Sequence, residues 1–144
     1  MDILRATIFG GSISATLAVT RLLCPSASFE EASRAPLQPP REVFGVVWPI
    51  LFVTTGVAWV LAKRTFASDA LYSTLTALCC LWLPLYTCLR YYRLSTLVLA
   101  SCVAVAAATM ATTEGAPERW LLVPLVTWLS FATYLNTYRV LSSK

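Results

Sequence analysis

Five apolar stretches of about 20 residues each constrain this chain more than anything else in it. They run at roughly Ile3–Leu23, Val43–Ala62, Ala70–Leu89, Leu94–Thr113 and Trp120–Tyr138. A helix of about 20 residues, rising 1.5 Å per residue, crosses the ~30 Å hydrocarbon layer of a bilayer. Backbone groups in lipid must be paired within their own segment, so each stretch is predicted to be helical. The apolar–polar alternation of a membrane barrel is absent. The last four stretches hold no acidic or basic side chain. The first has Arg5 and Arg21, each within a turn of an end, where a long stem is expected to snorkel to the headgroups. The chain is 58% apolar and 12% charged over 144 residues, too little charge to cover a soluble domain of that size. The expectation is an all-α membrane protein, a bundle of five transmembrane helices forming one domain over residues 1–144.

The apolar core Ala6–Val19 has the length of a signal-peptide core, but Asp2 offsets Arg5 and no small-x-small site follows. It is read as a retained helix. The links Lys63–Asp69, Arg90–Arg93 and Glu114–Arg119 are short, so consecutive helices should run antiparallel; only Cys24–Glu42 is long. No internal repeat is visible, which argues against an inverted-repeat transporter. With this topology Arg21, Arg34, Arg41, Arg90, Arg93, Arg139 and Lys144 lie on the C-terminal side, against Arg5, Lys63, Arg64 and Arg119 opposite. That excess makes the C-terminal side the expected cytoplasmic one. No basic run points to nucleic acid. Five cysteines, an odd number mostly inside spans, read as small packing residues and not as a disulfide frame.

Histidine is absent, and no acid lies within an apolar stretch. This removes the usual parts of a proton relay, a zinc site and an acid–base pair, so no metal site is expected. What remains is aromatic. Phe44, Trp48 and Phe52 recur at i, i+4 and i+8, and Thr55 and Trp59 continue the row. Cys79, Trp82 and Tyr86 share a face, as do Pro124, Trp128, Phe131, Leu135 and Tyr138. Trp59 and Trp120, near predicted ends, fit an interfacial belt. Trp48, Trp82 and Trp128 lie deeper, and fit either core packing or an indole-walled cavity for a planar ligand. Asn136, the only asparagine, needs a partner across the bundle. Pro49, Pro84 and Pro124 are expected to bend three helices. Ala100, Ala104 and Ala108 form a close-packing face, within the bundle or between protomers.

Three of these segments together carry a family likeness. "PPREVFGVVWPILF" with its following "TGVA" resembles the second-helix signature of the TspO/MBR family, the translocator and tryptophan-rich sensory proteins, through Pro39, Pro40, Phe44, Val47, Trp48, Leu51, Phe52, Gly56 and Ala58. "LWLPLY" is similar to the third-helix segment, through Trp82, Pro84 and Tyr86. "LLVPLVTWLSFATYLN" looks like the fifth helix, through Pro124, Trp128, Phe131, Ala132, Leu135 and Asn136. The resemblance implies a ligand cavity walled by Phe44, Trp48, Phe52, Cys79, Trp82, Tyr86, Trp128, Phe131, Ala132 and Leu135. It implies a lid carrying Arg34, Pro39, Pro40 and Arg41, with Arg34 or Arg41 facing propionates. A loose sterol motif is satisfied by Leu129, Tyr134 and Arg139, and again by Leu135, Tyr138 and Lys144.

The ligands so implied are tetrapyrroles (porphyrin, haem) and sterols, with no obligatory cofactor, in a receptor or carrier that partners the bilayer and a second copy of itself. Two alternatives follow: light-dependent porphyrin breakdown, with Trp48 and Trp128 as candidate catalytic residues, or a membrane scaffold in stress responses. The implied location is the mitochondrial outer membrane in a eukaryote or the outer membrane in a bacterium. Glu42, Leu75, Cys79 and Leu125 depart from the family pattern by replacing polar or aromatic groups.

Overall fold

The computed structural model describes residues 2–25 and 35–142. Five helices follow one another: α1 (Ile3–Leu23), α2 (Arg41–Leu61), α3 (Phe66–Thr87), α4 (Tyr92–Thr112) and α5 (Ala116–Ser142). Local chemistry sets several of the ends. The Asp2 carboxylate accepts from the Arg5 amide to start α1, and the Thr65 hydroxyl accepts from the Ser68 amide to start α3. Pro40, held extended, leads straight into α2. Helix α5, at 27 residues, runs four residues past the apolar stretch at each end. Hydropathy marks only where a helix meets lipid, and the charged first and last turns of α5 lie beyond that. Helices α1 to α4 are long and apolar enough to cross a membrane by length and composition.

The helices close into a ring in the order α1–α2–α5–α4–α3. Five elements cannot alternate in direction around a closed ring, so one adjacent pair must be parallel; here it is α1 and α3. Consecutive helices do alternate as expected, yet α2 and α3 are not neighbours in the ring; α1 lies between their backbones, and the two meet through side chains, Trp48 with Trp82 and Trp59 with Tyr72. Leu51, Leu75, Trp82, Leu99, Cys102 and Leu129 belong to the main core. A second cluster, around Phe9, Trp59, Tyr72 and Leu122, fills the N-terminal side. The outer surface is apolar, with Ile3, Val53, Leu61 and Leu97 exposed, as a lipid-facing surface should be. Trp120, 72% exposed, fits the belt position expected of it. Ala100, Ala104 and Ala108 are also exposed, so this face does not pack inside the bundle; α4 buries Ser95, Val98, Leu99, Cys102, Ala106 and Thr109 instead.

Three expectations are corrected. Arg5 does not snorkel. It is 4% exposed and donates to the carbonyls of Trp59 (2.9 Å), Ala62 (2.7 Å) and Lys63 (3.3 Å) while pairing with Asp69 at 2.7 Å. The C-terminal carbonyls of α2 need donors, and a guanidinium supplies several at once. Trp59 is not in a belt. It is 2% exposed, stacks flat on Tyr72 and donates its Nε1–H to Asp69 (2.9 Å). Finally, Cys24 and Cys88 form a disulfide, with Cα atoms 5.7 Å apart. They are the C-cap residues of α1 and α3, and a parallel adjacent pair ends at the same level. Cys79, Cys80 and Cys102 remain free.

Candidate functional site

The i, i+4 spacing on α2 puts Phe44, Trp48 and Phe52 in one row, and the matching spacing on α3 aligns Trp82 with Tyr86. Trp48 and Trp82 meet with ring centroids 5.0 Å apart and planes tilted by 30°. Phe52 extends this contact on one side (5.5 Å from Trp48) and Tyr86 on the other (5.4 Å from Trp82). The rings separate two spaces.

The larger is a groove of about 380 Å³ between α1, α2 and α3, within the range of small-molecule sites. Phe44, Trp48, Phe52, Cys79 and Trp82 line it, with Arg21 from α1. Trp48 is 7% exposed, and its Nε1–H has no acceptor among the described residues. A buried donor left without an acceptor costs about 1–3 kcal/mol, so an acceptor supplied from outside is strongly favoured there. Aromatic faces with an unmet indole donor suit a flat apolar molecule with few polar atoms.

The smaller space is a cavity of about 30 Å³ on the other side of the rings, room for about one water. Phe44 and Trp82 wall both spaces. Tyr86, Leu99, Ala132 and Leu135 add apolar wall, and Gln38, Asn136 and Arg139 make it polar. Asn136 meets its partner requirement through Ser95, donating from Nδ2 at 2.9 Å.

Of the expected cavity residues, Trp128 and Phe131 line neither space. They form a row, Phe44–Trp128–Phe131–Tyr134, half-buried as far as Phe131 and exposed at Tyr134, with centroids 5.5, 5.6 and 6.3 Å apart in turn. The fully buried face of α5 is Leu122, Leu125, Leu129, Ala132 and Asn136, one position round from the aromatic row. Small and aliphatic side chains let α5 pack closely on α4, and the larger rings are turned aside. The sterol-motif residues diverge: Leu129 is buried, Tyr134 exposed and Tyr138 half-buried, while Arg139 turns inward. Its Nη1 donates to the Tyr86 hydroxyl (3.1 Å), and its guanidinium lies 4.0 Å over the Tyr92 ring. The spacing 129, 132, 136, 139 continues the buried face and gives this away in sequence. Gln38 carried no such signal; it is positioned by the turn in which its Oε1 accepts from the Ala35 amide (3.1 Å). Of the expected lid, Pro39 and Pro40 lead into α2, while Arg34 and the side chain of Arg41 lie outside the described residues, as does Lys144 of the second sterol motif.

The departures from the family pattern are mostly absorbed by packing. Leu75, Cys79 and Leu125 all belong to the main core, and Glu42 is exposed in the first turn of α2, where the helix dipole favours an acid. Among the described residues no three His, Cys, Asp or Glu side chains gather as metal ligands.

A ring of membrane helices with an aromatic groove near one end defines a class, the α-helical membrane proteins that hold small molecules between their spans. Residues 4–141 match the TspO/MBR family, and the chain belongs to it. It is similar to the translocator protein homolog of Schizosaccharomyces pombe (strain 972 / ATCC 24843), with 30% identity over 124 residues, covering 78% of this chain and 75% of the relative. Family membership carries a membrane ligand-binding or translocator role in general terms.

Proposed function

We propose that the chain is a membrane receptor or carrier for flat apolar molecules of the tetrapyrrole or sterol kind, bound in the groove between α1, α2 and α3. The observation that carries this is the buried Trp48 indole N–H, which has no acceptor among the described residues and stands at the wall of a 380 Å³ space lined with rings. Binding is by stacking and apolar burial, so a porphyrin needs no iron to be held. Protoporphyrin titrated into the protein in lipid nanodiscs should quench tryptophan fluorescence saturably. A flat titration with folded protein counts against the reading.

A second reading is light-dependent breakdown of a bound porphyrin, with Trp48 and Trp128 as the candidate catalytic residues. It is favoured by the unbroken ring contacts Phe52–Trp48–Trp82–Tyr86. Under this reading Trp48→Phe and Trp128→Phe lose illuminated product per bound porphyrin; unaltered product per bound porphyrin in both excludes it.

The exposed Ala100, Ala104 and Ala108 face supports the homodimer in this proposal, and the basic excess supports a cytoplasmic C-terminus. The membrane is the mitochondrial outer membrane in a eukaryote, or the bacterial outer membrane. The Cys24–Cys88 disulfide lies on that same basic side, where a cytosolic setting makes a disulfide redox-responsive.

A further inference from the structure

We infer that the N-terminal end of the bundle holds a second site, separate from the aromatic groove, that takes a small primary ammonium carrying a neighbouring oxygen. A polar cavity of about 220 Å³ lies there, where α2 and α4 end and α3 and α5 begin. Its floor is buried, at Tyr72, Thr109 and Thr113, and its rim is exposed, at Lys63, Thr112 and Glu114, so it opens at the surface. Drug-sized pockets begin at about 300 Å³, and the occupant is smaller than that.

Two buried groups of the lining are unmet, and they are of opposite kinds. Tyr72 is 1% exposed, and its hydroxyl has no hydrogen-bond partner among the described residues. The Glu118 oxygen Oε2 is buried and has no donor among them. It folds back over Gly115, into space that a Cβ there would fill. Lys63 is paired with Glu114 and Arg5 with Asp69, so the Glu118 carboxylate is the lining charge left without a cation among the described residues.

The threonines decide what else the wall offers. Thr109 donates its hydroxyl proton to the Val105 carbonyl (2.7 Å), Thr112 to that of Ala108 (2.9 Å) and Thr113 to that of Thr109 (2.6 Å). Only their lone pairs are left for the cavity. Two helices end here and two begin, so their dipoles offset and the side chains decide the sign. A wall rich in acceptors, with one unpaired carboxylate, suits a cation with several N–H groups, and a primary ammonium has three. A quaternary ammonium leaves those acceptors unmet and asks for an aromatic cage; Tyr72 is the only ring in the lining, and Trp59 covers one of its faces. The phenol proton needs an acceptor, which the ligand supplies as an oxygen beside the ammonium. Ethanolamine has both groups, free or as a phospholipid head group, and the cavity lies at the ends of the spans, where head groups gather.

The test uses full-length protein with ¹³Cζ-labelled tyrosine in nanodiscs of phosphatidylcholine, the Tyr72 resonance being assigned through Tyr72→Phe. Ethanolamine should move that resonance saturably. Ethylamine, which lacks the oxygen, should bind about fivefold more weakly, the worth of one neutral hydrogen bond. Choline, which keeps the oxygen and the charge but has no N–H, should bind at least about tenfold more weakly, as should ethanolamine to Glu118→Gln. In nanodiscs of phosphatidylethanolamine, a Tyr72 resonance already shifted and unmoved by ethanolamine identifies the head group as the ligand; a response equal to that in phosphatidylcholine identifies the free amine. A Tyr72 resonance that is the same in both lipids and does not move with ethanolamine leaves the cavity to water and overturns the site. Equal binding of ethylamine or choline, or unchanged binding to Glu118→Gln, overturns it too. None of these outcomes bears on the aromatic groove.

Discussion

Two tryptophans of the same helix, Trp48 and Trp59, are buried to nearly the same degree and are treated oppositely. At the N-terminal end of the bundle, Trp59 stacks flat on Tyr72 and donates to Asp69, which also pairs with Arg5. Three helices are tied there by one buried cation. Toward the other end, Trp48 meets Trp82 and Phe52 but has no acceptor for its indole. Apolar contact of that kind stabilises a shape without completing its polar groups. The Trp59 indole is therefore satisfied within the protein, and the Trp48 indole is left for an acceptor supplied from outside.

This contrast breaks first at Arg5. Arg5→Ala leaves the α2 carbonyls and Asp69 without their cation, and should cost about 3 kcal/mol, the low end for a broken buried pair because Asp69 is partly solvated. Thermal unfolding in detergent reads this, and ligand affinity of the surviving folded protein should be unchanged. The open end has its own staple. Reducing Cys24–Cys88 should cost about 2–4 kcal/mol, the usual worth of a disulfide. Cys24→Ser should reproduce the loss and abolish the effect of reductant. Next come the two indoles. Trp59→Phe should lower stability by about 1.5 kcal/mol through its lost bond to a carboxylate, with binding intact. Trp48→Phe should do the reverse, weakening porphyrin and leaving the unfolding midpoint nearly in place.

The smallest effect is at Glu114, outside the spans, whose carboxyl is held below the usual range by the ammonium of Lys63 beside it. A depressed folded pKa gives stability that is present above the unfolded pKa and lost as pH falls through the folded one. The pair is exposed, so Lys63→Ala should move the carboxyl titration upward by NMR without a measurable change in unfolding.

The helices were legible because lipid imposes length and hydropathy on each span separately. What joins them was less so. Arg5 read as a snorkelling end because sequence shows distance from a terminus and not the carbonyls of α2 beside it. Cys24–Cys88 was hidden because a disulfide depends on which helices are neighbours, and the order α1–α2–α5–α4–α3 is not the order of the chain. At the site, the aromatic rows on α2 and α3 were readable from i+4 spacing alone. On α5 the eye-catching row, Trp128 and Phe131, was not the buried one; the quieter Leu125, Leu129, Ala132 and Asn136 were. Arg139 follows from that quieter periodicity and from nothing in its own character.

Trp48 waits for an acceptor that Trp59 already has. The most direct test of this is the indole N–H region of an ¹⁵N-tryptophan NMR spectrum, followed while protoporphyrin is titrated into the protein in nanodiscs. The Trp48 resonance should move downfield and saturate with the quenching curve while that of Trp59 stays in place. A stationary Trp48 resonance alongside saturable binding, or equal movement of both, contradicts it.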